Sequence, residues 1–441
     1  MVSFFVFIRY NCFKVLVIKV KDKIAKFVNV MKRDGFFKTI KKTLTYVMGN
    51  YINKINIIKR VKFIINKDKI SNEIDDILNL DYDRILVWRG SFGWNVPLYQ
   101  RPQQIANYLI NKRCLILYEV TRMTDKVDFI KKEKDNLYLV NYEIGAFEKL
   151  LFSKLCIINK PKYLQLYSTC WDVRKDEVDN YVNNGFKLLY EYIDDLNPKL
   201  AGTDKLPLNV AAIHDYVIKN KDVLVVTSAD KLYEDMVNKR KSKENIILSS
   251  NGVDVDHFKH EKKDVPVMDE IKKEYKMIIG YYGALASWFD YDLIRKLAKN
   301  YKDIAFVLIG IKYDTSFDDS KINELDNVKY LGAVDYNELP NYANYFDIAW
   351  IPFVVNEITL ATNPCKLFEY MALNKYIIAS DLPECHKYKS VNIAKNYKEY
   401  VNLIDNYKID KKYIDLLNKE ANLNSWDSKA DDIVKLLKSV E

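Results

Sequence analysis

The spacing of apolar residues changes character along the chain. Val20, Ile24, Phe27, Val28 and Met31, then Phe36, Phe37, Ile40, Leu44 and Val47, recur at helical intervals with lysines between them, which predicts two amphipathic helices broken at Asp34-Gly35. From residue 84 the pattern becomes short β-branched runs alternating with amphipathic stretches: RILVWR, a helix from Pro102 to Asn111, CLILYEV, and later KLLYEYI and VLVVTS. A second series starts at MIIGYYG and continues through IAFVLIG, NVKYLG, DIAWIPF and YIIAS. Alternation of this kind predicts parallel sheets covered by helices on both faces, so the fold class is α/β with two Rossmann-like domains in tandem. The Gly-centred SSNGVDVDHF, residues 249 to 258, is the expected hinge. The resulting division is 1–80 as a basic helical N-terminal extension, 81–252 and 253–425 as the two domains, and 426–441 as a terminal helix.

Charge sharpens the picture of the first segment. Residues 1 to 70 hold 17 Lys and Arg against Asp22, Asp34 and Asp68, a net +14 in a chain whose total is +9. The basic balance therefore belongs to one segment. Two readings fit it: helices lying on an anionic membrane surface through residues 1–75, or a lysine-rich extension packed on the main body. Its poverty in arginine and aromatic interleaving argues against nucleic acid. The run MVSFFVFIRYNCFKVLVIKV is apolar, but Arg9 and Lys14 interrupt it, so neither a signal peptide nor a membrane span is expected. Cysteines 12, 114, 156, 170, 365 and 385 form no C-x-x-C pair and no metal spacing with the four histidines. No metal site or cofactor is expected, and reduced thiols point to the cytoplasm.

Open α/β sheets bind ligands beyond the carboxyl ends of their strands, so candidate chemistry is sought in those loops. After the first strand, RGSFGWNVPLYQRPQQIANYL places Gly90, Gly93 and Arg101 near a helix N-terminus, suited to an acceptor or to phosphate. It is not G-x-G-x-x-G, which disfavours an NAD enzyme. In YEYIDDLNPKLAG, Asp194 and Asp195 end a strand and are the candidate catalytic acids or bases, with helix capping or a turn as the structural alternative. A lone His214 on a helical run reads as structural. GYYGALASW sets Gly283 at a strand end, and NPCKLFEYMALNKYIIASDLPE sets Asn363 before a helix whose first turn Pro364 suits and which carries Lys366 and Glu369 one turn apart. An ammonium beside free backbone N–H groups can neutralise a diphosphate, and a carboxylate one turn on can accept both hydroxyls of a ribose. By spacing alone, the pair could equally be an i, i+3 surface ion pair.

NGVD with Phe258, FVLIG, NPCKLFEYMALNKYIIASDLPE and RPQQIANYL together resemble GT-B glycosyltransferases, most closely the family-4-like group of bacterial enzymes that build cell-surface polysaccharides, over residues 82 to 441. The resemblance implies two Rossmann-like domains facing a cleft, a nucleotide-diphosphate sugar held mainly by the second, and a glycan or lipid-linked acceptor held by the first. It implies that Glu369 binds the donor ribose, that Lys366 faces the diphosphate, that Gly283 is the glycine after the first strand of the second domain, and that no metal takes part. Two positions depart from the pattern. Ala361 stands where a glutamate eight residues before Glu369 is expected, and Ala284 and Phe289 replace the basic pair that commonly follows the glycine. Donor sugar and stereochemistry stay open, and a non-catalytic partner subunit of an active transferase is the alternative.

Overall fold

The computed structural model describes residues 58–90, 93–96, 99–120, 125–196, 198, 205–259 and 262–441. The helices expected over residues 20–48 lie outside the described residues. The chain forms two compact units, residues 1–77 with 143–154, and residues 78–142 with 155–441.

In the first unit, a helix over residues 58–65 turns at Asn66 into the helix Lys67–Leu78. Phe63 sets its ring edge-on to Phe147, with centroids 6.3 Å apart, and the Lys154 ammonium bonds both carboxylate oxygens of Asp75 at 2.5 and 2.6 Å. Phe63, Ile70, Ile74 and Phe147 are buried, so this unit has its own small apolar centre.

The second unit contains both sheets. The first has strand order β3-β4-β2-β1-β5-β6-β7-β8, with β1 Arg84–Trp88, β2 Cys114–Glu119, β3 Ile130–Lys134, β4 Leu137–Val140, β5 Lys162–Tyr167, β6 Lys187–Tyr192, β7 Leu224–Thr227 and β8 Ile246–Leu248. All its pairings are parallel except β3 with β4 at the edge. The second sheet, entirely parallel, has the order β11-β10-β9-β12-β13-β14, with β9 Met277–Tyr282, β10 Ile304–Ile309, β11 Val328–Tyr330, β12 Ile348–Ile351, β13 Tyr376–Ser380 and β14 Val391–Ala394. Every residue of β1, β10, β12 and β13 is buried, the pattern of strands covered on both faces by helices. In each sheet the order reverses at the first strand: β1 lies between β2 and β5, and β9 between β10 and β12. Crevices for ligands open at such reversals, beyond the carboxyl ends of the strands. The loops after β1 and β9, carrying Gly90 and Gly283, occupy those two places.

Gly252 and Val253, within the expected hinge, are clamped to the chain that precedes the last helix. Val253 N–H donates to Asn424 O and Trp426 N–H to Val253 O, both at 3.0 Å. A Cβ on Gly252 would stand 2.8 Å from Asn424 O, so only glycine allows the two segments to pass this closely. The helix Trp426–Lys438 then runs back along the first sheet: Lys112 pairs with Asp427 and Asp431 at 2.9 Å, Tyr163 OH donates to Leu437 O, and Arg84 pairs with Glu441 at 2.7 Å.

His214 is buried in the helix Leu208–Lys219, where it shares a 3.0 Å hydrogen bond between Nδ1 and the Tyr190 hydroxyl; its Nε2 is buried without a partner. Burial therefore lowers its pKa to about 4 from the usual 6.5. Below pH 6.5 the unfolded chain takes up the proton that the folded protein refuses, so this stability is intact above that value and is lost as the pH falls toward 4. Urea unfolding at pH 7 and pH 5 is expected to show roughly 2 kcal/mol more acid loss in the wild type than in His214→Phe.

Candidate functional site

The helix Cys365–Ala372 starts directly after a loop that leaves β12, and it carries the densest chemistry of the second sheet. Pro364 caps this helix from an extended conformation, φ −73° and ψ 116°, so helical geometry begins one residue later than the sequence suggested. The helix buries Leu367, Phe368, Tyr370 and Met371, and Tyr370 OH accepts the Tyr282 N–H at 3.2 Å, fixing it to the end of β9.

Lys366 and Glu369 do not behave as a solvated ion pair. The Lys366 ammonium lies 5.3 Å from the ring centroid of Tyr281 and 5.6 Å from that of Phe353. Desolvation lowers its pKa, with the charges of Cys365 and Glu369 pulling the other way. Glu369 is 8% exposed, and desolvation pushes its carboxyl up to about 7 against the opposing influence of the Tyr282 hydroxyl and Lys366. For both groups burial outweighs the partner, as in a desolvated site and unlike a solvated surface pair. Gly283 closes the third side. Its φ is +139°, and a Cβ there would stand 2.7 Å from Lys366 Cε and 3.1 Å from Lys366 Nζ. Behind it, a Cβ on Gly310 would stand 1.9 Å from Gly283 O, so β9 and β10 need glycine at both loop entries. The arrangement is an ammonium pressed on bare backbone at a helix N-terminus, with a buried carboxylate one turn on. In a desolvated site each of these charges acts on a ligand more strongly than it would in water.

Asn363, next to Pro364, ties this loop to the hinge and to the first sheet. Its Oδ1 accepts the Asn251 N–H at 3.1 Å, its carbonyl accepts from Asn251 Nδ2 at 2.7 Å, and its Nδ2 donates to Glu384 Oε2 at 2.7 Å. Glu384, almost fully buried, also accepts the N–H of Asp230 at 2.9 Å and both bonds of Lys387, which in turn reaches Asp230 at 2.8 Å. Asp230 opens the helix Asp230–Arg240 that follows β7, so a carboxylate after β13 caps a helix of the other sheet. Sequence reasoning missed this role although Glu384 closes the quoted motif. Lys387 is a local partner, but Asn363 and Asp230 lie 21 and 154 residues away, so local spacing carries no trace of the cap. Glu384→Ala takes the acceptor from the buried Asn363 amide and from the part-buried Asp230 N–H, and urea unfolding is expected to show a loss of about 2 kcal/mol, against a smaller loss for Glu384→Gln.

The loops of the first sheet differ from expectation in detail. Gly90, φ +126°, gives its N–H to Glu119 Oε2 at 2.7 Å and leaves no room for a Cβ, which would meet Cys170 Sγ at 2.3 Å. Gly93, φ +67°, accepts from Gln103 Nε2 and Tyr118 OH through its carbonyl. Arg101 stands fully buried at the hinge, with Nε bonded to Glu191 Oε2 at 2.6 Å and Nη1 to Ser250 O at 3.0 Å. Its charge is thus compensated inside the fold by a strand residue 90 positions away. Asp195 pairs with Lys231 at 3.3 Å, and Lys231 reaches the Glu357 carbonyl at 3.0 Å, bringing the end of β6 to the loop after β12. Asp194 is exposed by its surface area, while the bulk of protein around it raises its carboxyl pKa by desolvation. Tyr336, which the sequence did not single out, receives Gln104 Nε2 at 2.7 Å and stacks on Tyr99 and His257, with ring centroids 4.8 and 4.4 Å away. No group of three or more His, Cys, Asp or Glu suited to a metal ion occurs among the described residues.

Solved structures share this arrangement. The sucrose-phosphate synthase (tll1590) from Thermosynechococcus elongatus superposes with a TM-score of 0.57 at 12% identity, covering 81% of this chain and 99% of that one. Anabaena Alr3699/HepE, solved in complex with UDP-glucose, superposes with a TM-score of 0.52 at 13% identity over 81% of this chain and 99% of its own. The chain has the GT-B fold. In sequence, the "Putative teichuronic acid biosynthesis glycosyltransferase TuaH" of Bacillus subtilis (strain 168) is 26% identical over 182 residues, 39% of this chain and 45% of that protein. The match thus spans less than half the length of this relative. No family model matches. Within the GT-B frame, the Cys365–Ala372 helix belongs to the second Rossmann-like domain, and its first turn lies beside Gly283 in the loop after β9, the strand at which the order reverses.

Proposed function

We propose that this chain is a hexosyltransferase-type glycosyltransferase that moves a sugar from a nucleotide-diphosphate donor to a cell-surface glycan or lipid-linked acceptor, working in the cytoplasm at the inner membrane face and without a metal. The observation that carries the proposal is the meeting of Lys366, Gly283 and Glu369 at the reversal point of the second sheet. Glu369 accepts the ribose hydroxyls, and Lys366 with the first N–H groups of its helix takes the diphosphate charge. Asn363 and Pro364 set the register of that helix start. As the bond to the anomeric carbon breaks, negative charge grows on the leaving diphosphate, and a desolvated ammonium and helix dipole already in place stabilise it with no reorganisation. Asp194, whose raised pKa lets it exchange a proton nearer neutrality, is the base for the acceptor hydroxyl, and Asp195 holds the loop through Lys231. Gly90 and Gly93 shape the acceptor wall, and Arg101 keeps the hinge beneath it.

The names of the relatives support this reading, since TuaH is described as a teichuronic acid biosynthesis glycosyltransferase and HepE, which shares the fold, is solved with UDP-glucose. Titration calorimetry with UDP, GDP and dTDP tests it. Saturable binding of one nucleotide, lost in Lys366→Ala, is the expected result; binding of none is the result that removes the proposal and leaves a non-catalytic partner.

A further inference from the structure

The helix over residues 58–65 turns its aliphatic side chains the wrong way for a packed helix. Phe63 is 4% exposed and meets Phe147 inside the first unit, whereas Ile58, Val61, Ile64 and Ile65 are 65%, 49%, 71% and 75% exposed. At 3.6 residues per turn these four side chains fall in one arc of about 120°, centred opposite Phe63. Arg60 borders the arc on one side and Lys62 on the other, Lys59 follows Lys62 around the helix, and no acidic residue occurs from 58 to 67. An outward apolar stripe between two rows of cations matches the boundary between lipid headgroups and acyl chains, where the stripe enters and the cations meet phosphate.

We propose that this face docks the protein on an anionic lipid surface, with Ile58, Val61, Ile64 and Ile65 inserted at headgroup depth. Charge decides among the occupants such a stripe could take. A second copy would bring its own Lys59, Arg60 and Lys62 against these three. Residues 1–57 carry 12 Lys and Arg against Asp22 and Asp34, so the preceding chain would press +10 on a +3 face. A negative surface is attracted by both, and each cation near it adds to the attraction. The aliphatic stripe, without aromatic side chains to stack on bases, favours lipid over nucleic acid. The docking deepens the proposed reading by placing a soluble-donor enzyme beside a bilayer-embedded acceptor.

The test uses the full chain carrying Ile64→Cys. The rate of maleimide labelling at position 64, read by peptide mass spectrometry, is measured alone, with phosphatidylcholine vesicles, and with vesicles in which about a third of the lipid is phosphatidylglycerol. Fast labelling alone that slows about tenfold on anionic vesicles only is the expected result. Slow labelling without lipid assigns the face to the chain itself or to a second copy and overturns the proposal. Unchanged labelling with anionic vesicles overturns it, as does equal slowing by a DNA oligonucleotide. A variant with Ile58→Ser, Val61→Ser, Ile64→Ser and Ile65→Ser is expected to sediment with anionic vesicles about tenfold less than wild type, and wild-type sedimentation of this variant also overturns the proposal. Nucleotide release from a soluble donor by the same variant stays at the wild-type rate, so loss of docking and failure of the transferase reading are separately visible.

Discussion

Glu369→Gln lowers kcat/KM for the nucleotide-sugar donor by roughly 100- to 1,000-fold without lowering stability. Two hydrogen bonds from ribose hydroxyls to a buried carboxylate contribute about 1.5 to 3 kcal/mol each, and an amide of the same shape returns only one of its faces as an acceptor. The folding side has the opposite sign. Burial raises the carboxyl pKa to about 7 from 4.5, so the folded protein loses stability as the pH climbs from 4.5 to 7, and above 7 it carries the full cost of a buried charge. Gln removes that cost. The variant should therefore unfold at the same or higher urea concentration at pH 8 while turning over poorly, a separation that a structural role for Glu369 would not produce. The same shift fixes a pH dependence for the free wild-type protein. Donor binding strengthens as Glu369 ionises through about pH 7, then weakens at higher pH as Lys366, its pKa lowered by burial, loses its proton.

Gly283→Ala is the second large effect, and it is expected to act through a neighbour. The φ of +139° is one that alanine adopts at a cost of about 1 to 3 kcal/mol. The atoms nearest the new methyl are Lys366 Cε at 2.7 Å, the Tyr281 hydroxyl at 3.0 Å and Lys366 Nζ at 3.1 Å, and of these the end of the flexible lysine is the part that can swing aside. The fold therefore survives, and the ammonium leaves the position in which it meets the donor diphosphate. Calorimetry is expected to show nucleotide affinity lower by about 10- to 100-fold. Gly332→Ala is the control: its φ is +74° and nothing lies within 4 Å of a Cβ there, so it carries backbone strain and leaves Lys366 in place.

How much of this was visible in the sequence depends on the distance over which each feature is determined. β1, β2, β9, β10 and β13 are continuous β-branched runs and could be read directly, as could the Lys366/Glu369 pair, because one helical turn sets their relation. β5 was not read, since Gln165 interrupts its apolar run; that side chain is buried because Glu191, on the neighbouring strand, accepts its amide. The lysine-rich β3 carries the marks of a protected edge strand, which hide it from a hydrophobic count. Arg101 read as a cleft-facing cation because its charge was visible and its partner Glu191 was not. Glu384 was overlooked for the same reason: its cap on the Asp230–Arg240 helix exists only once β7 and β13 are brought together.

The central claim is that a nucleotide-diphosphate sugar is activated between Lys366, Gly283 and Glu369, and release of nucleotide from UDP-, GDP- and dTDP-sugars tests it most directly. The account predicts release from one donor class by the wild type, with release by Glu369→Gln reduced about 100-fold or more. Release that Glu369→Gln leaves unchanged, or no release from any donor, would contradict it.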